Sequence, residues 1–230
     1  SLMTVDYSQI EMRLMADASK DESLIKAFTE GKDFHAAMAA RVFGVAEESV
    51  SSAQRAKIKA MNYGLAYGLS AYGLSQQLEI SVSEAKLLMA DYFEHFGTVQ
   101  DYLQQVVATA RKTGYTETLL GRRRYLPDLN SFNRQRREMA ERAALNAPIQ
   151  GSAADVIKVA MLDVADSLKA AGLKSRILLQ VHDELVFEIA PGELQVTTDL
   201  VTDKMTNALQ LQVPLDVSVG VGHSWHEAAH

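Results

Sequence analysis

The chain has 230 residues and a formal net charge of −6, with 47% hydrophobic and 23% charged residues. These proportions are ordinary for a soluble globular protein and leave enough apolar side chains for a core. Cysteine is absent, which excludes disulfides and thiolate metal sites, so any metal must be held by oxygen or imidazole ligands. No apolar run reaches the about 18 residues that a membrane span needs, and the N-terminus has no signal-peptide pattern. We therefore expect a cytoplasmic protein with no membrane partner.

The first half of the chain is predicted to form one strand followed by helices. Residues 3–7 have the apolar character of a strand, and helical spacing of apolar residues begins after Ser8. Capping boxes, in which a serine is followed three residues later by Gln or Glu, occur at Ser51 and Ser81. From these patterns we expect helices at about 20–30, 34–43, 51–67, 81–96 and 97–112.

The second half returns to strands. Short strands are expected around Gly121, and two helices are expected at about 131–149 and 153–171. Two apolar runs, at about 177–181 and 185–189, predict strands that join at Asp183. After a helix at about 192–208, apolar residues alternate from Val213 to Val221, which predicts a half-buried strand. Strands at both ends and helices between them predict an α+β sheet domain with a long helical insertion.

Positive charge is concentrated in two stretches of this acidic chain. Residues 119–142 carry seven arginines and a net charge of +4, so the remainder carries −10. Residues 49–78 contain Arg55, Lys57 and Lys59 and no acidic residue. Local positive segments favour binding of a polyanion, because phosphate contacts depend on the local field. The alternative is a solvated arginine-rich face without a ligand.

Acidic residues occur where predicted strands end. Asp6 ends the first strand, and Asp183 and Glu184 lie at the junction of two later strands. Turn formation alone is enough to explain an aspartate at either junction. If the two strands are neighbours in one sheet, however, the carboxylates form an oxygen-rich pocket. Such ligands select Mg²⁺ or Mn²⁺.

The helix predicted at about 51–67 carries a stripe of two cations and two aromatic residues. Arg55, Lys59, Tyr63 and Tyr67 are spaced by four, so they lie along one side of the helix. The cations can hydrogen-bond to the oxygens of a triphosphate, and the tyrosines can stack on a sugar or a base. The alternative is an amphipathic helix with a basic edge and buried tyrosines.

Five segments of the sequence resemble, in the same order, signatures of the family A DNA polymerases. They begin at Asp6 (DYSQIEMR), Arg55 (RxxxKxxxYGxxYG), Gly121 (GRRRYLP), Asn146 (NxPxQG) and Gln180 (QVHDE). The first, second and last of these are similar to the family's motifs A, B and C. The similarity extends from about residue 4 to the C-terminus, and five signatures in order make coincidence a poor explanation.

The resemblance implies a template-directed DNA polymerase that acts in replication and repair and uses two Mg²⁺ ions, which Mn²⁺ can replace. Asp6 and Asp183 would bind the ions and would be catalytic, with the Tyr7 carbonyl as an extra ligand. Glu184 would be a secondary acidic group in the metal site. One ion would activate the primer 3′-hydroxyl, and both would stabilise charge at the α-phosphate.

The resemblance also implies which residues contact the substrates, deoxynucleoside triphosphates and primer-template DNA. Lys59 would grip the triphosphate and donate a proton to pyrophosphate. Glu11 resembles a steric gate against the ribose 2′-hydroxyl, and the Tyr63 hydroxyl would allow dideoxynucleotides to be accepted. Nucleotide contacts are implied for Tyr7, Gln9, Glu11, His35, Arg55, Lys59 and Tyr63. DNA contacts are implied for Tyr67, Arg122, Arg123, Arg124, Asn146, Gln150 and His182.

The family fold implies a mainly antiparallel palm sheet with helical fingers. We expect palm at residues 1–19 and 116–230 and fingers at 20–115. In relatives a thumb and further palm strands precede motif A, and the five residues before Asp6 cannot contain them. We therefore expect the thumb to be absent and weak synthesis by this chain alone, and we expect the protein at the bacterial nucleoid.

Two alternatives stay open. One is a fragment that binds nucleotide or DNA without catalysis of its own. The other is a single-subunit RNA polymerase, which shares the two-aspartate scheme and the Arg/Lys/Tyr helix. The Ser-Gln-Ile-Glu run after Tyr7 and the Glu184 that follows Asp183 favour the DNA enzyme over the RNA enzyme.

Overall fold

The computed structural model describes residues 1–31, 33–66 and 68–229. It contains antiparallel sheets and many helices, which confirms the predicted α+β class. The strands are β1 (Leu2–Tyr7), β2 (Tyr115–Glu117), β3 (Arg123–Tyr125), β4 (Arg176–Val181), β5 (Glu184–Glu188) and β6 (Val217–Gly222). The helices are α1 (Ile10–Ser19), α2 (Glu22–Thr29), α3 (Phe34–Phe43), α4 (Ser52–Ala66), α5 (Ala71–Leu78), α6 (Val82–His95), α7 (Gly97–Thr113), α8 (Arg134–Ala170), α9 (Leu194–Thr206) and α10 (Trp225–Ala228). None of the helices in the described ranges is long and apolar enough to cross a membrane.

The chain divides into two compact units. The sheet unit comprises residues 1–11 and 152–230, and the helical unit comprises residues 12–151. The sheet unit contains a four-stranded sheet, and the helical unit contains the hairpin of β2 and β3. The assignment of palm to 1–19 and 116–230 and of fingers to 20–115 stays a prediction.

Strand β1 lies inside the four-stranded sheet, whose order is β4-β5-β1-β6 and whose pairs are all antiparallel. Met3, Val5 and Tyr7 are buried, and so is Thr4 between them, so both faces of this strand are covered. The Tyr7 hydroxyl donates to the Met205 carbonyl of α9 at 2.7 Å. The Thr4 hydroxyl donates to the Ala228 carbonyl of α10, also at 2.7 Å. The buried hydroxyls of Thr4 and Tyr7 are therefore matched by partners in α10 and α9.

Local capping sets the starts of several helices in the helical unit. The predicted reciprocal cap at α4 is confirmed, because Ser51 N–H donates to Gln54 Oε1 at 2.9 Å and Gln54 N–H donates to Ser51 Oγ at 3.2 Å. The predicted capping box of Ser81 and Glu84 is also present at α6. Helix α5 was not predicted, although Ser70 caps it by accepting from Gly73 N–H. Gly73 inside this short segment weakens its helical pattern.

Helix α8 corrects the prediction of two helices at 131–149 and 153–171. It runs unbroken from Arg134 to Ala170 with Pro148 inside it. Proline removes one helical hydrogen bond, but Ala144, Ile149 and Val156 are almost fully buried, and this packing outweighs the local penalty. The glycine at position 151 is required by close approach, because a Cβ there would lie 2.5 Å from Thr118 Cγ2.

The last predicted strand is shorter than expected. Alternation predicted a strand from Val213 to Val221, whereas β6 is Val217–Gly222. Val213 and Leu215 are buried, but they lie before the strand. Proline at position 214 has no N–H for a sheet ladder, which explains the later start. The four-residue helix α10 was not predicted either, since it is too short to show a periodicity.

Gly222 tests how tightly α10 packs on the sheet unit. A Cβ at Gly222 would lie 2.6 Å from Glu227 Cβ and 2.8 Å from the Ala228 nitrogen. We expect Gly222→Ala to lower the free energy of unfolding by about 1–3 kcal/mol, because the backbone must shift. Urea unfolding followed by circular dichroism and by Trp225 fluorescence measures this.

Gly97→Ala is the matched control. A Cβ at Gly97, the first residue of α7, meets nothing within 4 Å. This variant should be neutral or more stable by up to about 1 kcal/mol, because alanine lowers the entropy of the unfolded chain. Equal effects of the two substitutions would contradict the packing argument.

Candidate active site

Asp6, Asp183 and Glu184 lie at one end of two paired strands of the sheet unit. Strands β1 and β5 are antiparallel neighbours, and Asp6 is directly opposite Glu184 in their register. The backbone N–H of Tyr7 donates to the carbonyl of Asp183 at 3.1 Å. Directly opposite residues of an antiparallel pair have neighbouring side chains. The condition on which the predicted oxygen-rich pocket depended, that the two strands are neighbours, is therefore confirmed.

Two turns with left-handed backbone residues hold these acids. His182 and Asp183 form the two-residue turn between β4 and β5, and His182 has a φ of 53°. Gln9, between β1 and α1, also has a φ of 53°. Positive φ is costly for residues other than glycine and is concentrated at functional sites. His182 thus directly precedes Asp183, and Gln9 follows Asp6 by three residues.

Some side chains near these turns have hydrogen-bond partners and others do not. Gln180 Nε2 donates to the His182 carbonyl at 2.8 Å, which braces the turn. The Gln9 Oε1 atom is buried and has no hydrogen-bond partner. Glu11 lies in the first turn of α1 and is half-buried. Burial raises the pKa of the Tyr7 hydroxyl, which therefore stays protonated as a donor to Met205.

Glu184 is turned toward the C-terminal helix. Its Oε1 atom accepts a hydrogen bond from Trp225 Nε1 at 2.7 Å. Within the described ranges, no three His, Cys, Asp or Glu side chains are grouped closely enough to hold a metal ion. The two carboxylates predicted to hold a cation are Asp6 and Asp183, and this role stays a prediction. This donor set fits Mg²⁺, which is commonly held by one or two carboxylates together with waters and substrate phosphates.

Helix α4 carries the predicted cations on its more exposed side. Its buried face is formed by Ile58, Met61, Asn62 and Leu65, whereas Lys59 is exposed. Tyr63 is half-buried, and its ring centroid lies 6.0 Å from that of His35. The predicted fourth member of the stripe, Tyr67, lies outside the described residues.

Arg55 is paired with an acid that the sequence analysis missed. Its Nε atom lies 2.7 Å from Asp33 Oδ2, and the two side chains are 42% and 43% exposed. Asp33 also caps α3 by accepting from the N–H groups of His35 and Ala36. Burial opposes ionisation of Asp33, but these hydrogen bonds and Arg55 outweigh it and lower its pKa. An aspartate directly before a helix usually caps that helix. This local role gives no sign in the sequence that Asp33 also pairs with Arg55.

His35 is buried against α4 and is neutral. Its relative exposure is 2%, and Asn62 Nδ2 lies 3.1 Å from His35 Nδ1. Burial, reinforced by the positive charges of Arg55 and Lys59, lowers the pKa of His35 to about 4. The Asn62 Oδ1 atom is buried and has no hydrogen-bond partner. The predicted contact of His35 with a phosphate stays a prediction, since the ring is enclosed here.

The predicted DNA-binding residues of the helical unit are mostly exposed. Arg122 Nη2 donates to the Gly151 carbonyl at 2.8 Å. Arg123 lies over the Tyr115 ring, 4.3 Å from its centroid, and its Nε is 3.3 Å from Glu117 Oε1. Arg124 is exposed on β3. On α8, Gln150 is exposed and Asn146 is half-buried, and their spacing of four places them on one side of the helix.

The sequence model of DNA polymerase family A matches residues 1–227. The chain therefore belongs to DNA polymerase family A.

Individual relatives agree with this. DNA polymerase I of Mycobacterium bovis is 65% identical over 229 residues, which are 100% of this chain and 25% of the relative. DNA polymerase I of Bacillus subtilis is 50% identical over 227 residues, 99% of this chain and 26% of the relative. The chain thus spans about a quarter of the length of these curated relatives.

A solved structure is similar along the whole chain. It is the POL domain of Pol1 from M. smegmatis in complex with DNA primer-template and dNTP. The two are 63% identical with a TM-score of 0.96, and the match covers 100% of this chain and 40% of that one.

The lowered pKa of His35 predicts a pH-dependent stability. The folded pKa of about 4 lies below the ordinary value of 6.5, so the unfolded state binds a proton that the folded state excludes. Stability is therefore fully present above about pH 6.5 and falls as the pH is lowered toward 4. We expect a loss of roughly 1–2 kcal/mol between about pH 7 and about pH 5.

Urea unfolding at these pH values, followed by circular dichroism, measures the effect. In His35→Gln this component of the pH dependence should disappear. His95→Gln, which removes an exposed histidine at the end of α6, should keep it. The same pH profile for wild type and His35→Gln would contradict the assignment.

Proposed function

We propose that this chain carries the catalytic centre of a DNA polymerase, which adds deoxynucleotides to a primer 3′-end on a DNA template. The observation that supports it most is the register of β1 and β5, in which Asp6 is opposite Glu184. In the same register the Tyr7 backbone N–H donates a hydrogen bond to the Asp183 carbonyl. The same elements occur in a chain of DNA polymerase family A, similar to a POL domain in complex with primer-template and dNTP.

Asp6 and Asp183 hold the divalent ions in this proposal, and the Tyr7 carbonyl is a further oxygen ligand. When bound, two Mg²⁺ ions supply activation of the primer 3′-hydroxyl and stabilisation of charge at the α-phosphate. The protein keeps these ligands in place through the strand pairing and the turn at His182. A rigid carboxylate pair needs little reorganisation as charge develops.

Arg55 and Lys59 bind the triphosphate, and Lys59 is the proton donor to pyrophosphate. Lys59 is exposed, and Arg55 forms an exposed ion pair with Asp33. Such pairs contribute about 0–1 kcal/mol, so the exchange of Asp33 for phosphate oxygens costs little. We also propose nucleotide contacts for Gln9, Glu11, His35 and Tyr63, with Glu11 selecting against a ribose 2′-hydroxyl.

Primer-template DNA is the macromolecular substrate. Phosphate contacts from Arg122, Arg123 and Arg124 give affinity without reading the sequence. Asn146, Gln150, His182 and Tyr67 contact the primer terminus, the minor groove or the template base. Repair and replication are the processes that use this reaction.

The metal site is tested with Asp183→Asn. We expect binding of a deoxynucleoside triphosphate to depend on Mg²⁺ in wild type and to weaken by about tenfold or more in the variant. Isothermal titration calorimetry measures binding with and without Mg²⁺, and primer extension measures synthesis separately. Asp166→Asn, at an exposed position of α8, is the control and should behave as wild type. Nucleotide binding indifferent to both Mg²⁺ and Asp183 would refute the proposal.

Asp33→Asn tests the exchange at Arg55. Asparagine still caps α3, but it removes the charge that competes with a triphosphate for Arg55. We expect affinity for the nucleotide with Mg²⁺ to rise about two- to fivefold, the range that an exposed ion pair allows.

The control for the loss of one negative charge is Glu48→Gln, an exposed acid of the same unit. It should change the affinity much less. If Asp33→Asn leaves the affinity unchanged while α3 stays folded, Arg55 does not exchange partners.

A further inference from the structure

The hydrogen bond between Trp225 and Glu184 joins the C-terminal helix to the acidic end of β5. Trp225 Nε1 donates to Glu184 Oε1 at 2.7 Å, across 41 residues of sequence. A neutral N–H donating to a carboxylate makes a charge-assisted bond, which is short and about twice as strong as a neutral one. Trp225 is the only tryptophan of the chain.

The helix that carries Trp225 is fixed on the sheet. The buried hydroxyl of Thr4 donates to the Ala228 carbonyl at 2.7 Å. Ser224 caps the helix by accepting from Glu227 N–H, and His223 N–H donates to Glu227 Oε2 at 2.8 Å. Together with the close packing at Gly222, these contacts hold the backbone of α10 against the sheet, while the Trp225 side chain is partly exposed. The backbone that carries the donor is therefore held in place.

The direction of the Glu184 side chain decides how many carboxylates can coordinate a cation. Glu184 follows Asp183 in sequence and is opposite Asp6 in the sheet, so it is near enough in the backbone to be a third ligand. Its hydrogen bond is nevertheless made to α10. Within the described chain, no three acidic or imidazole side chains form a metal-binding group.

We infer that Trp225 is a positioning residue that withholds Glu184 from the metal site. This inference rests on the proposed function. A third carboxylate would increase the affinity for a divalent ion in the absence of nucleotide, because affinity rises with the ligand charge. With only Asp6 and Asp183 available, the ion stays exchangeable until substrate phosphates add their own oxygens.

Trp225→Phe tests this, because it removes the N–H donor and keeps an aromatic ring. Binding of Mn²⁺ alone is measured by the loss of the free-ion electron paramagnetic resonance signal. We expect Trp225→Phe to tighten Mn²⁺ binding about three- to tenfold, since Glu184 is released to coordinate. In a Glu184→Gln background the same substitution should change nothing. Unchanged or weaker binding, or a gain that persists in that background, overturns the inference.

A second measurement uses the wild-type chain and does not depend on how the variant folds. Ultraviolet resonance Raman spectroscopy reports hydrogen bonding of an indole N–H, and every indole signal here comes from Trp225. If Glu184 stays on Trp225, the N–H band keeps its position at saturating Mg²⁺. A shift to the position of a free N–H means that Glu184 has moved to the metal, which overturns the inference.

Asp183→Asn distinguishes a failure of the proposed metal site from a failure of the role proposed for Trp225. If it leaves Mn²⁺ binding unchanged, the proposed metal site is wrong and the role of Trp225 is overturned with it. If it weakens Mn²⁺ binding while Trp225→Phe has no effect, the proposed function stands and only the role of Trp225 is wrong.

Discussion

The pairing of β1 with β5 is the constraint on which the candidate site depends. A strand pair has a side-chain period of two, so a slip of one residue would turn Asp6 to the opposite face of the sheet. Several contacts oppose a slip. Met3 and Val5 are fully buried, Tyr7 donates through its hydroxyl to α9, and Thr4 donates to α10. Packing on both faces of β1 thus sets the position of a carboxylate that is itself only half-buried.

Positive charge in the helical unit is balanced locally by the protein's own acids. Arg55 is paired with Asp33, Arg123 with Glu117, and Arg134 with Glu138. All six side chains are at least 41% exposed, so these pairs are weak and are screened by salt. Through such pairs an acidic protein can keep its arginines ordered when no polyanion is present. The same arginines can bind a polyanion when one is present. The same balance makes a net charge of −6 compatible with the proposed phosphate binding.

Local features of the fold could be predicted from the sequence, whereas features that depend on distant contacts could not. The caps at Ser51 and Ser81 involve residues three apart, and both were correctly predicted. Two helices, at 131–149 and 153–171, were predicted where α8 runs unbroken with Pro148 and Gly151 inside it. Burial of the helix and the approach of Thr118 to Gly151 reverse that interpretation, and both are tertiary effects.

The candidate site shows the same division. Motifs identified Asp6, Asp183 and the cations of α4, because their residue types and spacing are visible in the sequence. The partners Asp33 and Trp225 were missed, since they lie 22 and 41 residues from Arg55 and Glu184. A cap and a solitary tryptophan are common, and no spacing rule connects them to a carboxylate or a guanidinium. Second partners of functional side chains are set by the register of the sheet and the packing of helices.

The arrangement of the sheet unit has a consequence for the order of folding. Residues 12–151 are contiguous, whereas the sheet joins residues 1–11 to residues 152–230, and the Thr4–Ala228 bond closes a loop of 224 residues. Contacts of such long range form late, because chain entropy must be lost before they contribute. The helical unit is contiguous and can fold before the sheet, whereas β1 cannot pair with β5 until residues 12–183 have been synthesised. Until then β1 is an unpaired apolar strand, the kind of segment that chaperones bind and that misassociates.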